Sequence, residues 1–108
     1  MITVEIRKSN GEYVGFSSKG HAGYAEEGYD IICAAVSVLT VNTINSIEKF
    51  TDDAFKAEAA DGMVRWKFTE LPLSKEATLL MDSLVLGLAD IQENHGKKYI
   101  KIIEKSLT

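Results

Sequence analysis

A cysteine and a histidine lie 12 residues apart in this chain, and they are the residues best suited to nucleophilic chemistry. The stretch that joins them begins with Gly20-His21 and ends at Cys33, the only cysteine among the 108 residues. A thiolate is a strong nucleophile, and an imidazole within hydrogen-bond reach activates a thiol by accepting its proton. The two residue types therefore indicate covalent catalysis through sulfur, if the fold brings their side chains together.

The sequence predicts that Cys33 lies in the first turn of a helix. Asp30 has the residue type of an N-cap, and apolar periodicity begins directly after it. In a first turn the backbone N–H groups lack helical acceptors, so they stabilise a thiolate or an oxyanion formed beside it. The alternative is structural, because free cysteines are often small apolar core residues. The position at the helix start favours the nucleophile.

His21 is the candidate general base. It closes the predicted second strand, whereas Cys33 opens the helix that follows, and a strand end and the next helix start often lie at one edge of a sheet. A Cys–His pair requires contact in space rather than adjacency in sequence. The alternative for His21 is a polar residue that only terminates the strand. For Asp30 the alternatives are an N-cap and an acid that orients His21, as the third member of a triad does.

Ser37 and the loop before the helix are candidate supporting elements. Ser37 follows Cys33 by four residues and therefore shares its helical face. Its hydroxyl either bonds within the site or donates back to a helical carbonyl. The loop carries two glycines that would let it move as a lid, and two acidic residues that are either solvated or attract a basic peptide. These four residues are Gly23, Gly28, Glu26 and Glu27.

Two hairpins, two helices and a last strand must position these residues. Alternating apolar residues predict strands, and the pairs Asn10-Gly11 and Asp61-Gly62 are strong hairpin-turn signals. The predicted strands cover residues 2–7, 13–18, 55–59, 64–68 and 99–103, and the helices run from 31 to about 50 and from Ser74, as N-cap, to about 94. The order ββαββαβ predicts an α+β two-layer sandwich, in which two helices pack against a mostly antiparallel sheet.

The first helix is apolar on most of its faces. One predicted stripe contains Ile32, Val36, Leu39, Ile47 and Phe50, and Val38, Val41 and Ile44 add others. A helix that is apolar all round is buried on most sides. In a chain of this size, that pattern predicts either a central helix or the interface of a homodimer, and we expect a homodimer.

Composition limits the remaining function classes. The chain is 45% hydrophobic with a formal net charge of −4, which predicts one globular domain over residues 1–108 and argues against direct nucleic-acid binding. We find no signal peptide and predict no membrane-spanning segment, so we expect a cytoplasmic protein, which suits a lone cysteine. One cysteine with the distant His21 and His95 does not match zinc spacing, and no phosphate-binding glycine motif occurs, so no metal or cofactor is expected.

The stretch around Cys33 resembles the signature of a known family. Gly20-His21-Ala22, a short loop, and Gly28-x-Asp30-x-x-Cys33-Ala34-Ala35-Val36-Ser37 are similar to the bacterial ribosomal-processing cysteine protease family, Prp. The similarity extends over nearly the whole chain, although the His…Asp-x-x-Cys-Ala-Ala-Val-Ser pattern is its specific part.

This resemblance implies an endopeptidase that removes an N-terminal extension from a large-subunit ribosomal protein, number twenty-seven. At the matching positions Cys33 would be the nucleophile and His21 the general base, with Gly20, Asp30 and Ser37 in support. It also implies an α/β sandwich that forms homodimers. The alternative is a noncatalytic, ribosome-associated module that binds a basic ribosomal protein and in which Cys33 is inert.

Overall fold

The structure, a computed structural model, describes residues 1–20 and 27–107, without the side chains of residues 27–30 and 96. The order of its elements confirms the predicted ββαββαβ arrangement. The elements are β1 (Ile2–Ser9), β2 (Glu12–Lys19), α1 (Glu27–Phe50), β3 (Phe55–Ala60), β4 (Met63–Phe68), α2 (Lys75–Ile91), a π-helical turn (Gln92–Gly96) and β5 (Ile100–Ser106).

The five strands form one mixed sheet in the order β3-β4-β2-β1-β5. The pairings β1–β2, β2–β4 and β3–β4 are antiparallel, whereas β5 lies parallel to β1. The prediction of a mostly antiparallel sheet is therefore confirmed, with one parallel pair at the β5 edge. The strand before β5 in the chain is β4, and the connection between these two strands runs through α2.

Local turn chemistry sets both hairpins. Asn10 and Gly11 take φ values of 52° and 77°, as the two central residues of a type I′ turn require. Gly62 has a φ of 72° in the second hairpin. The last strand extends three residues beyond its predicted end at Ile103, because its pairing with β1 continues as far as Lys8 opposite Ser106.

The core lies between the sheet and the two helices. Its central row crosses three strands from Ile6 through Phe16 to Trp66, and the two aromatic rings stack with centroids 4.5 Å apart. The helix α2 begins at the predicted N-cap, where the Ser74 hydroxyl accepts a hydrogen bond from the Ala77 N–H at 3.0 Å. The buried residues of the two helices include Ile32, Val36, Ile44 and Ile47 of α1 and Ala77, Met81, Leu84 and Leu88 of α2.

The first helix ends at Phe50, as predicted, but it departs from its prediction at its start and in the burial of its last residue. It begins at Glu27 rather than at Ile31, because one glycine costs a helix only about 1 kcal/mol and does not stop a long apolar helix. At the other end Phe50 is 72% exposed, so its place in the buried stripe was predicted wrongly. Ile47, three residues earlier, is fully buried in the core.

One helical segment in the described part of the chain, Ile31–Phe50, is long and apolar enough by composition to cross a membrane. This is weak evidence, because the core helices of globular proteins meet the same criterion. Here the residues Ile32, Val36 and Ile47 are buried in the fold. The absence of a membrane-spanning segment therefore stays a prediction.

Candidate active site

A cavity of about 170 Å³ lies beside Cys33, at the edge of the sheet where β1 starts and β2 ends. The wall formed by α1 carries three polar or reactive side chains, Cys33, Ser37 and Thr40, at helical spacings of four and three residues. The facing wall comes from the ends of β1 and β2 and from the β3–β4 hairpin. It consists of Ile2, Ser18, Gly20, Ala60, Gly62, Met63 and Val64.

Cys33 is a free cysteine that is partly buried, and it packs on the edge of the hydrophobic core. Because α1 starts at Glu27, Cys33 is the seventh helical residue and lies in the second turn. The prediction that it occupies the first turn is wrong. Its own N–H is far enough into the helix to have a helical acceptor, so this N–H is not one of the four orphan donors.

The interpretation of Asp30 as N-cap is wrong for the same reason. Asp30 is the fourth residue of α1, whereas an N-cap precedes the first helical residue. The apolar stripe that begins at Ile32 marks where α1 meets the core rather than where the helix begins. The alternative, an acid that orients His21, stays a prediction, because the Asp30 side chain is outside the described part.

Several predicted site residues lie outside the described residues. They are His21, Gly23 and Glu26, while Glu27 and Gly28 are described only as backbone at the start of α1. The contact between His21 and Cys33 therefore stays a prediction. One described fact supports it: Gly20, the residue directly before His21, lines the same cavity as Cys33.

Gly20 occupies a position that only glycine fits. Its φ is +139°, which L side chains rarely adopt, and its N–H donates to the Gly62 carbonyl oxygen at 2.9 Å. A Cβ atom here would lie 2.5 Å from the Met1 carbonyl oxygen and 2.8 Å from the Ile2 Cα atom. These contacts give a structural reason for Gly20 as a supporting residue, because they hold the chain against β1 and the β3–β4 hairpin just before His21.

Ser37 is exposed at the cavity, one helical turn after Cys33. Its hydroxyl makes no hydrogen bond to another residue of ranges 1–20 and 27–107. Thr43, by contrast, donates to the Leu39 carbonyl oxygen at 2.7 Å. Of the two alternatives for Ser37, the structure does not show the back-bond to the helix, so its hydroxyl remains available to the cavity.

Thr40 is a cavity residue that the motif did not single out. Its side chain is 1% exposed, and its hydroxyl has no hydrogen-bond partner in the part of the chain that the structure describes. The available signal was a polar residue in an otherwise apolar helix, at a spacing of three from Ser37. Nothing in the sequence indicated that residues of the β3–β4 hairpin line the site, because only the fold brings that hairpin to α1.

The described residues hold no cluster suited to a metal ion, since nowhere among them do three or more His, Cys, Asp or Glu side chains come together. The described half of the arrangement is therefore a small, partly polar cavity lined by a thiol and by three hydroxyl residues, Ser18, Ser37 and Thr40. These groups suit covalent attack by sulfur on an acyl group whose side chain enters the cavity.

Known proteins resemble this chain over nearly its whole length. A profile of the family described as cysteine protease Prp matches residues 1–101. A Staphylococcus aureus protein named ribosomal processing cysteine protease Prp is 26% identical over 99 residues, which cover 90% of this chain and 93% of that protein. A Bacillus subtilis protein of the same name is 25% identical over 101 residues, which cover 88% of this chain and 90% of that protein.

Solved structures show the same likeness. A crystal structure of the S. aureus protease Prp with a substrate peptide has a TM-score of 0.89 and 26% identity, over 97% of this chain and all of that one. A second crystal structure of that protease, with a covalently linked product peptide, has a TM-score of 0.86 and 27% identity, again over 97% of this chain and all of that one. Both structures are complexes of that S. aureus protease with a peptide, and in one of them the peptide is covalently linked.

Proposed function

Because this chain belongs to the cysteine protease Prp family, we propose that it removes the N-terminal extension of a large-subunit ribosomal protein, number twenty-seven, during ribosome maturation. The observation that carries this proposal is Cys33 on the wall of a side-chain-sized cavity, with Gly20 and Ser37 of the family motif on the same walls.

The proposed reaction is acyl transfer through Cys33. His21 accepts the thiol proton, and Sγ attacks the scissile carbonyl to form a tetrahedral intermediate. The C–N bond breaks as His21 returns the proton to the leaving amine, and water then hydrolyses the thioester. The Ser37 hydroxyl, one helical turn from Cys33, supplies a donor for the developing oxyanion in place of a first-turn N–H. Asp30 orients His21.

The proposed substrate segment is extended and basic. Glu26 and Glu27 add negative charge to the sequence between His21 and Cys33, and the net charge of −4 favours a basic partner. Gly28 is the second residue of α1, so its place in a mobile loop was predicted wrongly, and the role of Gly23 stays a prediction. We place the reaction in the cytoplasm, where a lone thiol stays reduced.

The test is processing of the extended ribosomal protein, followed by intact mass spectrometry. We expect the purified chain to reduce the mass of that protein by its N-terminal extension in a single step. The same ribosomal protein without its extension is the control and should keep its mass. Binding of the extended protein with no change in its mass would overturn the protease proposal and favour the binding module.

We also propose that the chain forms a homodimer through the outer faces of its helices. Ile31 and Val38 of α1 are 65% and 67% exposed, and Leu79 and Leu86 of α2 are 68% and 72% exposed. Apolar side chains exposed at helical spacing on adjacent helices are typical of an interaction surface. This is a different surface from the cavity at Cys33.

Light scattering at micromolar concentration tests the dimer. We expect a mass twice that of the 11.9 kDa chain. The paired substitutions Val38→Lys and Leu86→Lys should reduce it to the monomer mass, because they place like charges in the apolar surface. Thr69→Lys, at an exposed position outside both helices, should leave the dimer intact. A monomer for the unmodified chain would contradict this prediction.

A further inference from the structure

The face of the sheet that points away from the helices carries most of the positively charged side chains. Strand residues alternate between the two faces, and the buried Ile6, Phe16 and Trp66 identify the face that packs on the helices. The opposite face, here called the open face, consists of three rows in register across the five strands. The rows are Lys105, Arg7, Gly15, Lys67 and Lys56; Ile103, Glu5, Ser17, Arg65 and Glu58; and Lys101, Thr3, Lys19, Met63 and Ala60.

The charge of the open face is opposite in sign to that of the chain. Its three rows hold seven of the 12 Lys and Arg residues but two of the 16 Asp and Glu residues. The chain as a whole has a net charge of −4, and that average gave the expectation of no direct nucleic-acid binding. Binding of a polyanion depends on the local distribution of charge, which is basic on this face.

The first of these rows, here called the basic row, presents four cations and one glycine. Adjacent strands lie about 4.8 Å apart, so the row crosses the five strands over about 19 Å. Gly15 at its centre makes room for the Arg7 guanidinium, because a Cβ atom there would lie 2.9 Å from the Nε and Nη2 atoms of Arg7. The guanidinium therefore lies across β2 and fills the gap in the line of positive charge.

Two cations of the basic row have no counter-charge. Lys56 and Lys67 are exposed and lie directly opposite each other on β3 and β4, where like charges destabilise a sheet. Neither forms an ion pair with another residue in the described part of the chain, and the two acids of the open face are paired with other cations. Those pairs are Glu58 with Arg65 at 2.7 Å, and Glu5 with Arg7 at 3.4 Å and with Lys105 at 3.6 Å. A bound anion would relieve the repulsion between the two lysines.

The shape and residue types of the open face favour a phosphate backbone. Arg7, Lys56 and Lys67 line a groove of about 490 Å³. The three rows contain no aromatic residue, and the strand aromatics Phe16 and Trp66 lie in the core. Protein partners are usually held by aromatic anchors, and unstructured single strands stack on exposed aromatic rings. A line of cations without such rings suits the backbone of a structured nucleic acid.

We infer that the basic row binds the phosphate backbone of structured RNA, independently of base sequence. The choice of RNA as the polyanion rests on the proposed function, because the proposed substrate is a ribosomal protein. The surface itself goes beyond that function, since the basic row shares no residue with the walls of the Cys33 cavity. The contact would hold the protease on the RNA that surrounds its substrate.

The number of cations sets the expected salt dependence. The logarithm of the association constant falls with the logarithm of the salt concentration, with a slope of about 0.7–0.9 for each phosphate neutralised. Four cations therefore predict a loss of affinity of about 10²-fold between about 50 and about 200 mM KCl. Two cations predict a loss of about tenfold over the same range.

The experiment measures fluorescence anisotropy of a labelled RNA hairpin at several KCl concentrations. We expect the unmodified chain to show the 10²-fold loss, and a hairpin of scrambled sequence to bind equally well. The double variant Lys56→Gln, Lys67→Gln should bind more weakly and show only the tenfold loss. The control Lys49→Gln, Lys75→Gln removes two exposed helix lysines and the same net charge, and it should behave like the unmodified chain.

Two further measurements make the outcome decisive. Thermal unfolding should show the Lys56→Gln, Lys67→Gln variant to be at least as stable as the unmodified chain, because a like-charge pair is lost. Equal RNA affinity and salt dependence for the two double variants would overturn the role of the basic row. Tighter binding of poly-glutamate than of RNA would overturn RNA as the partner and indicate an acidic polypeptide. Processing of the free extended protein should be unchanged in both variants, and RNA binding by a chain that processes nothing would overturn the protease proposal alone.

Discussion

Replacing Cys33 with alanine should abolish processing of the extended ribosomal protein while leaving the fold intact. The thiol is the proposed nucleophile, and loss of a catalytic nucleophile reduces kcat by about 10⁴-fold or more. Cys33 is only partly buried at the edge of the core, so its truncation should lower the free energy of unfolding by no more than about 1 kcal/mol. The measurements are the initial rate of the mass change and thermal unfolding of the same samples.

Ser37→Ala is the matched variant for this experiment. It removes a hydroxyl from the same cavity wall but keeps the nucleophile. Loss of one donor to an oxyanion reduces kcat by about 10²–10³-fold, so this variant should retain slow processing. If Cys33→Ala kept as much activity as Ser37→Ala, another residue would have to supply the nucleophile.

Replacing Gly20 with alanine should disrupt both the fold and the site. The added methyl group would lie 2.5 Å from the Met1 carbonyl oxygen, and the φ of +139° is strained for an L residue. The Ile2 Cα atom would lie 2.8 Å from the same methyl group. Because both of these neighbours are backbone atoms, relief of the clash requires movement of β1 or of the chain that leads to His21. We expect the free energy of unfolding to fall by about 2–4 kcal/mol. Processing should be slower even at temperatures where the variant is folded.

Gly11→Ala separates conformational strain from the clash. Gly11 also has a positive φ, +77°, but no atom lies within 4 Å of its added Cβ. Gly11→Ala should therefore lower the free energy of unfolding only by the cost of the turn conformation, about 1 kcal/mol. Processing should be unaffected after correction for folded fraction. Equal destabilisation by both substitutions, measured by denaturant unfolding, would show that the contacts around Gly20 are not restrictive.

The elements that the sequence predicted well are those governed by neighbouring residues. The type I′ turn at Asn10-Gly11 requires positive φ at both residues, and few residue types accept that conformation. The N-cap at Ser74 likewise depends on a hydroxyl and an N–H three residues apart. Such signals are complete within a few residues of sequence, so they predict structure without knowledge of the rest of the fold.

The start of α1 and the cavity depended on contacts that no local pattern reports. Apolar periodicity marks where a helix touches the core, so it placed the start at Ile31 although α1 begins four residues earlier, at Glu27. Part of the facing wall of the cavity comes from the β3–β4 hairpin, at Ala60 to Val64, which lie 27 to 31 positions after Cys33 in the chain. The enclosed hydroxyl of Thr40 becomes evident only when that hairpin is in place.

The parallel pair of β1 and β5 has a consequence for synthesis of the chain. Ile2 pairs with Ile100, so 98 residues separate the first strand from the partner that completes its second edge. At a translation rate of about 5–20 residues per second, β1 waits about 5–20 s for that partner. During that interval the hairpin of β1 and β2 presents an open strand edge, which is the feature that recruits other chains into aggregates. Slow translation should therefore lower the soluble yield, and a peptide of the β5 sequence supplied in trans should compete for the same edge.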